Sequence, residues 1–164
     1  MRILNKNSIS IIGGAGHVGF PLGLAFALKR YSIRLIDINK TNIEKIKKGE
    51  IPFKEKNAKL NLKKCLRKKR IRFANNLTQI SQSKYIVVCI GTPINNDLKP
   101  NIKYFLNFFY DLRKNIKKEQ IVVIRSSIYP GLINKVEKIL KNKNQNIVYC
   151  PERIVQGLSL EELP

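Results

Sequence analysis

The run Ser8-Ile9-Ser10-Ile11-Ile12-Gly13-Gly14-Ala15-Gly16-His17-Val18-Gly19-Phe20-Pro21-Leu22 passes from a short apolar segment through glycines into a helical pattern. Residues 8–12 read as a buried strand that the glycines end. Residues 18–30 read as a helix, with Val18, Leu22, Ala25 and Phe26 at helical spacing and no β-branched cluster. Pro21 falls in its first turn, where a missing N–H is tolerated. Gly14-Ala15-Gly16-His17-Val18-Gly19 fits G-x-G-x-x-G at the junction of strand and helix. Gly14 would permit the tight turn, Gly16 the close approach of a pyrophosphate, and Gly19 the contact of helix with strand. The helix start offers unpaired N–H groups and partial positive charge to that anion. Val18 and His17 lie in the same loop. His17, the sole histidine, reads as a solvent-facing neighbour of the phosphates with no catalytic role.

A second strand, residues 33–37, closes on Asp37, eighteen residues after Gly19. A carboxylate there can accept both ribose hydroxyls of an adenosine and repels a 2′-phosphate, which favours NAD over NADP. Strand, glycines, helix, strand and acid stand in the order a dinucleotide site needs. A glycine motif alone is weak, since glycines also end strands for local reasons.

The rest of the chain repeats the alternation. Thr41 is expected to cap a helix through Lys48, with Glu44 as capping-box partner and Gly49 as the stop. Residues 50–70 read as an irregular connection holding one basic helix near 58–68. Strands are expected at 71–74, 85–90 (YIVVCI), 121–124 (IVVI) and 147–150. A helical turn at 76–81 and helices at 102–116 and 131–141 separate them. Continuous apolar strands between helices imply a parallel sheet covered on both faces. The expected fold is α/β, a doubly wound Rossmann-like parallel sheet forming a single domain over residues 1–164.

The 164 residues carry 32 Lys+Arg against 11 Asp+Glu, a formal charge of +21. At 43% hydrophobic the chain is no polyelectrolyte tail. Its length suits one domain that buries roughly two-thirds of its unfolded surface. Residues 54–72 are the densest run, with ten Lys or Arg opposed only by Glu55. The bias is global, however: 23 Lys, 17 Asn and 24 Ile pervade strands, helices and loops alike. Lys outnumbers Arg 23 to 9, whereas base and phosphate recognition leans on the Arg fork. No aromatic residues interleave with the basic run, so a stacking platform is absent. A solvated basic surface therefore ranks above a nucleic-acid site.

Nothing approaches the ~20 apolar residues of a membrane span. No secretory signal is visible at the start. Cys65, Cys89 and Cys150 are odd in number and widely spaced, which argues against a disulfide framework. None has metal-ligand spacing, so no metal site is expected. Cys89 reads as a small core residue. The expected location is the cytoplasm.

With these motifs the chain resembles the NAD-binding N-terminal domain of the UDP-glucose/GDP-mannose dehydrogenase family over nearly its whole length. Gly14 to Gly19 match the family's GxGxVG loop, with Val18 at the valine, and Asp37 matches its acid. Gly49-Glu50-Ile51-Pro52 matches a G-x-x-P segment, and Gly91-Thr92-Pro93 a G-T-P turn. Ser126-Ser127-Ile128-Tyr129-Pro130-Gly131 matches S-T-V-P-P-G, and Pro151-Glu152 a P-E motif. Cys150-Pro151-Glu152-Arg153 looks more like the UDP-N-acetylmannosamine and UDP-N-acetylglucosamine branch than the glucose branch, which tends to have N-P-E-F.

The resemblance implies oxidation of C6 of a nucleotide sugar to a carboxylate, with NAD as cofactor. It implies that Thr92 reaches the cofactor ribose or pyrophosphate. Ser127 stands at the family threonine, whose hydroxyl helps hold water and nicotinamide near the reacting carbon. It implies that Glu152 lies beside nicotinamide and sugar; alone, it would read as an exposed loop acid. Gln156 replaces a second glutamate of the glucose branch, and a neutral amide cannot accept the proton. The family's catalytic cysteine, in a G-x-C-x-P-K-D setting, has no counterpart here. By that expectation the chain binds NAD without completing the four-electron oxidation, and a homo-oligomer belongs to a longer form. Two alternatives share part of the pattern. Another Rossmann dehydrogenase, of β-hydroxyacid or 3-hydroxyacyl-CoA type, would keep the loop and Asp37, and a basic nucleic-acid module would ignore NAD.

Overall fold

Six parallel strands form one sheet in the order β3-β2-β1-β4-β5-β6: Asn5–Ile12 (β1), Ser32–Ile36 (β2), Ile71–Ala74 (β3), Ser83–Val88 (β4), Ile121–Ile124 (β5) and Asn146–Tyr149 (β6). The structure, a computed structural model, describes residues 5–92, 100–141 and 146–163. Among the described residues six helices accompany the strands: Gly19–Leu28 (α1), Lys40–Lys47 (α2), Ala58–Arg67 (α3), Ile102–Asn115 (α4), Leu132–Leu140 (α5) and the short Ser159–Glu162 (α6). A 3₁₀ turn, Leu77–Gln82, precedes β4.

The continuous apolar strands divide their side chains between two cores, as the period of two requires. Ile9, Ile11, Ile33 and Leu35 meet Phe20 and Leu24 of α1 and Leu62 of α3. Ile12, Ile86, Val88, Val122 and Ile124 face the other way, against Phe105 and Phe109 of α4 and Val136 of α5. Helices on both faces with strand order reversing beside β1 make the expected doubly wound sheet. The reversal places the carboxyl ends of β1 and β4 side by side.

Two buried polar links set how β4 is seated. The Ser10 and Ser83 hydroxyls share a hydrogen bond of 2.7 Å between β1 and β4. Gln120, fully buried, donates to the carbonyl oxygens of Ile80 and Ser83 and accepts from the Lys117 amide. β4 accordingly starts at Ser83, two residues before the expected Tyr85.

One expectation is corrected. Thr41 does not cap α2; Asn39 does, its side chain accepting from the Asn42 amide at 3.0 Å. Asp37 Oδ1 accepts from the Asn39 amide at 2.9 Å, which bends the chain into the helix earlier, and Glu44 pairs with Lys47 instead. The segment after Gly49 is irregular up to residue 57, as expected, and it is tied to the end of the chain. Lys56 N donates to Gly157 O at 3.0 Å. Glu55 accepts from Ser159 Oγ at 3.0 Å and from Leu160 N at 3.1 Å, fixing the start of α6. The last residues thus fold back over residues 50–57. The basic helix falls where expected and buries Ala58, Leu62 and Cys65 while its lysines face water.

Candidate functional site

The glycine turn is built between the ends of β1 and β2. Gly13 and Gly14 amides both donate to Ile36 O, at 2.9 and 3.0 Å, and Gly16 N donates to Gly13 O at 3.2 Å. A Cβ on Gly19 would lie 2.2 Å from Gly13 O, so only glycine lets α1 start against the turn. Gly14 is equally confined, by Ile11 O at 2.8 Å and the Leu35 Cα at 2.9 Å. Gly16 differs. A Cβ there would meet only Gly13 O, at 3.4 Å, so its bare face opens outward rather than into the protein. Val18 stands at the helix N-cap without a side-chain cap. Among the described residues the amides of His17, Val18 and Gly19 have no protein partner. That arrangement suits an anion at a helix start.

Asp37 closes on this turn. Its Oδ2 accepts from Ala15 N at 2.8 Å and its Oδ1 from Asn39 N, while the Asn42 side chain reaches Ala15 O at 3.4 Å. The carboxylate is therefore aimed by backbone on both sides. His17 is exposed, as expected, and its ring stacks on Phe53 with centroids 4.1 Å apart. A cleft of about 360 Å³ lies at the switch in strand order, with Gly13, Gly16 and Asp37 on one wall and Cys89 and Gly91 on the other. Ile38, Leu77, Tyr104 and Phe108 line its outer end. Ile38 is 84% exposed and Tyr104 half-exposed, flat apolar surface beside Asp37 of the kind an adenine ring covers.

Thr92, Ser127 and Glu152 do not line that cleft. They stand in order along the carboxyl ends of β4, β5 and β6. Thr92 Oγ1 donates to Ser127 O at 3.1 Å, joining the first two loops, and the buried Ser126 hydroxyl donates to Ile90 O at 2.7 Å. Pro93 of the same turn lies outside the described residues.

Glu152 is no exposed loop acid. Its side chain is 10% exposed and pairs with Arg125 Nη2. Its other oxygen accepts from the amides of Arg153 and Ile154, at 2.8 and 2.9 Å. Gln156 is exposed in the same loop. Burial alone would lower the pKa of Arg125, but the hydrogen bonds to Glu152 and Cys150 outweigh it and raise it. Burial pushes the Cys89 thiol up to about 12, the nearby Arg125 opposing and Glu152 adding to the shift. Cys65, also buried, has its thiol raised by burial against the pull of Arg70, Lys64 and Lys68. Among the described residues no three His, Cys, Asp or Glu gather as a metal site, and no helix is long and apolar enough to cross a membrane.

Three contributors escaped the sequence reading. Arg125 carries a signal, a cation at the end of a buried strand immediately before two serines. Phe53 and Tyr104 carry none, since their positions depend on how loop 50–57 and α4 are seated.

Comparison with known proteins supplies the decisive observation: residues 7–164 match the model of the UDP-glucose/GDP-mannose dehydrogenase family, NAD binding domain. The chain belongs to that family. As the NAD-binding domain of that family, the chain takes NAD as its cofactor. It is 26% identical over 154 residues to UDP-N-acetyl-D-mannosamine dehydrogenase of Methanococcus maripaludis, covering 92% of this chain and 35% of that one. It is 24% identical over 152 residues to UDP-glucose 6-dehydrogenase of Rickettsia felis, covering 91% and 34%. A solved GDP-mannose dehydrogenase of Pseudomonas aeruginosa superposes with a TM-score of 0.84 at 20% identity, covering 94% and 38%, which shows the shared fold. This family member therefore spans about a third of the length of those relatives.

Proposed function

We propose that this chain supplies the NAD-binding part of a nucleotide-sugar 6-dehydrogenase that converts a C6 hydroxyl to a carboxylate. The preferred sugar in this reading is a UDP-N-acetylhexosamine, first UDP-N-acetylmannosamine. The observation that carries it is the Asp37 carboxylate hydrogen-bonded to the glycine-turn amide at the switch in strand order. There Gly14, Gly16, His17, Val18 and Gly19 surround the pyrophosphate and Asp37 accepts from the adenosine ribose. Thr92 reaches the ribose or pyrophosphate from the end of β4. Ser127 and Glu152 are the residues assigned to the reacting end, where Ser127 offers a hydroxyl to water or carboxamide and Glu152 orients the sugar. NAD supplies the hydride acceptor when bound; the protein's share is orientation and exclusion of wrong poses.

The sugar assignment rests on Cys150-Pro151-Glu152-Arg153 and on the relatives' names. The substrate-binding and cysteine-bearing domains of such an enzyme lie outside residues 1–164 in this reading, which leaves the chain one domain, active in the cytoplasm. Homo-oligomerisation belongs to a longer form, and neither nucleic acid nor membrane is a specific partner.

Calorimetry with NAD and NADP tests the cofactor end. NAD should bind at least about tenfold more tightly, since a 2′-phosphate would meet Asp37. Amide NMR tests the reacting end: NAD should shift Ser127 and residues 151–157 more than AMP does. Preference for NADP, or shifts that spare those residues, would contradict the reading.

A further inference from the structure

The β5–β6 end of the sheet carries a charged arrangement that the family motifs do not include. Arg125 directly follows β5, and its backbone amide donates to Val88 O at 2.9 Å, so its main chain extends the ladder. Glu152 N donates back to Arg125 O at 3.1 Å. The Arg125 guanidinium then bridges two side chains from beyond β6. Nη2 donates to Glu152 Oε2, and Nη1 to Cys150 Sγ at 3.2 Å. Its Nε is buried without a partner among the described residues. Both charged side chains are largely withdrawn from water, 15% exposed for Arg125 and 10% for Glu152.

A buried ion pair of this kind is weak evidence for stability, because desolvating two charges costs about as much as their attraction returns. What it does supply is orientation. Glu152 has one oxygen on a guanidinium and the other on two consecutive amides, so its carboxylate has a single seat. A Lys at 125 could satisfy one oxygen but not reach Glu152 and Cys150 in one plane, since only the guanidinium fork is flat and rigid.

We propose that Arg125 is a positioning residue: its guanidinium, clamped between Glu152 and Cys150, holds the loop 151–157 where it meets the nicotinamide end of the cofactor. This rests on the reading that the second half of the dinucleotide lies over β4 to β6. Arg125 itself need not touch cofactor. Removing it leaves a buried carboxylate unpaired, and the loop must open to hydrate it.

The test compares NADH with ADP-ribose, which has the same adenosine and pyrophosphate but no nicotinamide. The chain contains no Trp, so NADH emission is read without protein interference. In the intact 164-residue chain, NADH emission should change on binding, and ADP-ribose should compete. Arg125→Met should weaken NADH by about tenfold and abolish the emission change, while ADP-ribose affinity stays within about twofold. Unchanged ADP-ribose binding doubles as the control for folding. Arg125→Lys should restore part of the NADH affinity. The double variant Arg125→Met with Glu152→Gln should be no worse than Arg125→Met alone, because the uncompensated charge is gone.

Arg125→Met with wild-type NADH binding overturns the proposal, as does parallel loss of both ligands, which would make the pair structural only. NADH and ADP-ribose binding alike to the wild-type chain, with no emission change, overturns it too, while leaving the adenosine site intact. A wild-type chain that binds neither overturns the dinucleotide reading beneath it.

Discussion

Asp37 accepts hydrogen bonds from Ala15 N and Asn39 N, so two backbone segments converge on one carboxylate. The same economy governs Gly19, whose missing Cβ lets Gly13 O sit where a side chain would be. Gly19→Ala must push that backbone oxygen away. The expected outcome is a loss of about 1–3 kcal/mol in urea unfolding together with weakened NAD binding. Gly16→Ala meets far less protein, so it should leave stability nearly unchanged and weaken NAD binding alone. Equal stability losses at both positions would deny the division between packing and ligand approach.

Cys89 is a different residue-scale case. Its thiol is raised from 9.0 to about 12 in the fold, so the unfolded chain releases the proton first as pH rises. Its contribution to stability is full below 9.0 and lost between 9.0 and about 12. Urea midpoints over that interval should fall more steeply for the wild type than for Cys89→Ala. Parallel curves would mean that the thiol is not held protonated.

At the scale of elements, Gln120 does the most with one side chain. It meets two carbonyls at the start of β4 and the Lys117 amide in the turn before β5, and it sits wholly out of water. Gln120→Leu would fill the space and remove all three of these hydrogen bonds. A destabilisation of about 2–4 kcal/mol is expected, read from chemical denaturation. Elements were also where the sequence spoke most clearly. β3 and β5 fall at the expected residues, because unbroken apolar runs between turn residues admit one placement. β4 starts before the expected residue because a polar pair such as Ser10 with Ser83 carries no periodic signal. The α2 cap went to Asn39 rather than Thr41 because the Asp37 contact bends the chain first. At the site, the glycines and Asp37 were legible because their spacing is dictated by a turn. Arg125 was not assigned, since its partner Glu152 lies 27 residues away and only the sheet brings them together.

For the whole molecule, the balance of charge and topology decides which ligand matters. A net charge of +21 attracts any polyanion at low salt. That attraction is spread over lysines such as those of α3, whose inner face is spent on the core. Physiological salt screens it beyond about 8 Å, whereas a dinucleotide seated at the switch point makes short-range contacts. The doubly wound sheet puts every residue assigned to the cofactor at one edge, the carboxyl ends of β1, β2, β4, β5 and β6. The opposite edge contributes none. Specific binding should therefore survive salt, and it should depend on one carboxylate.

Titration calorimetry of the 164-residue chain with NAD at physiological salt, repeated on Asp37→Ala, tests this most directly. The expected result is saturable binding at one site, weakened at least about tenfold in the variant while circular dichroism stays unchanged. Equal affinity in a folded variant, or no binding to the wild-type chain, would contradict the account.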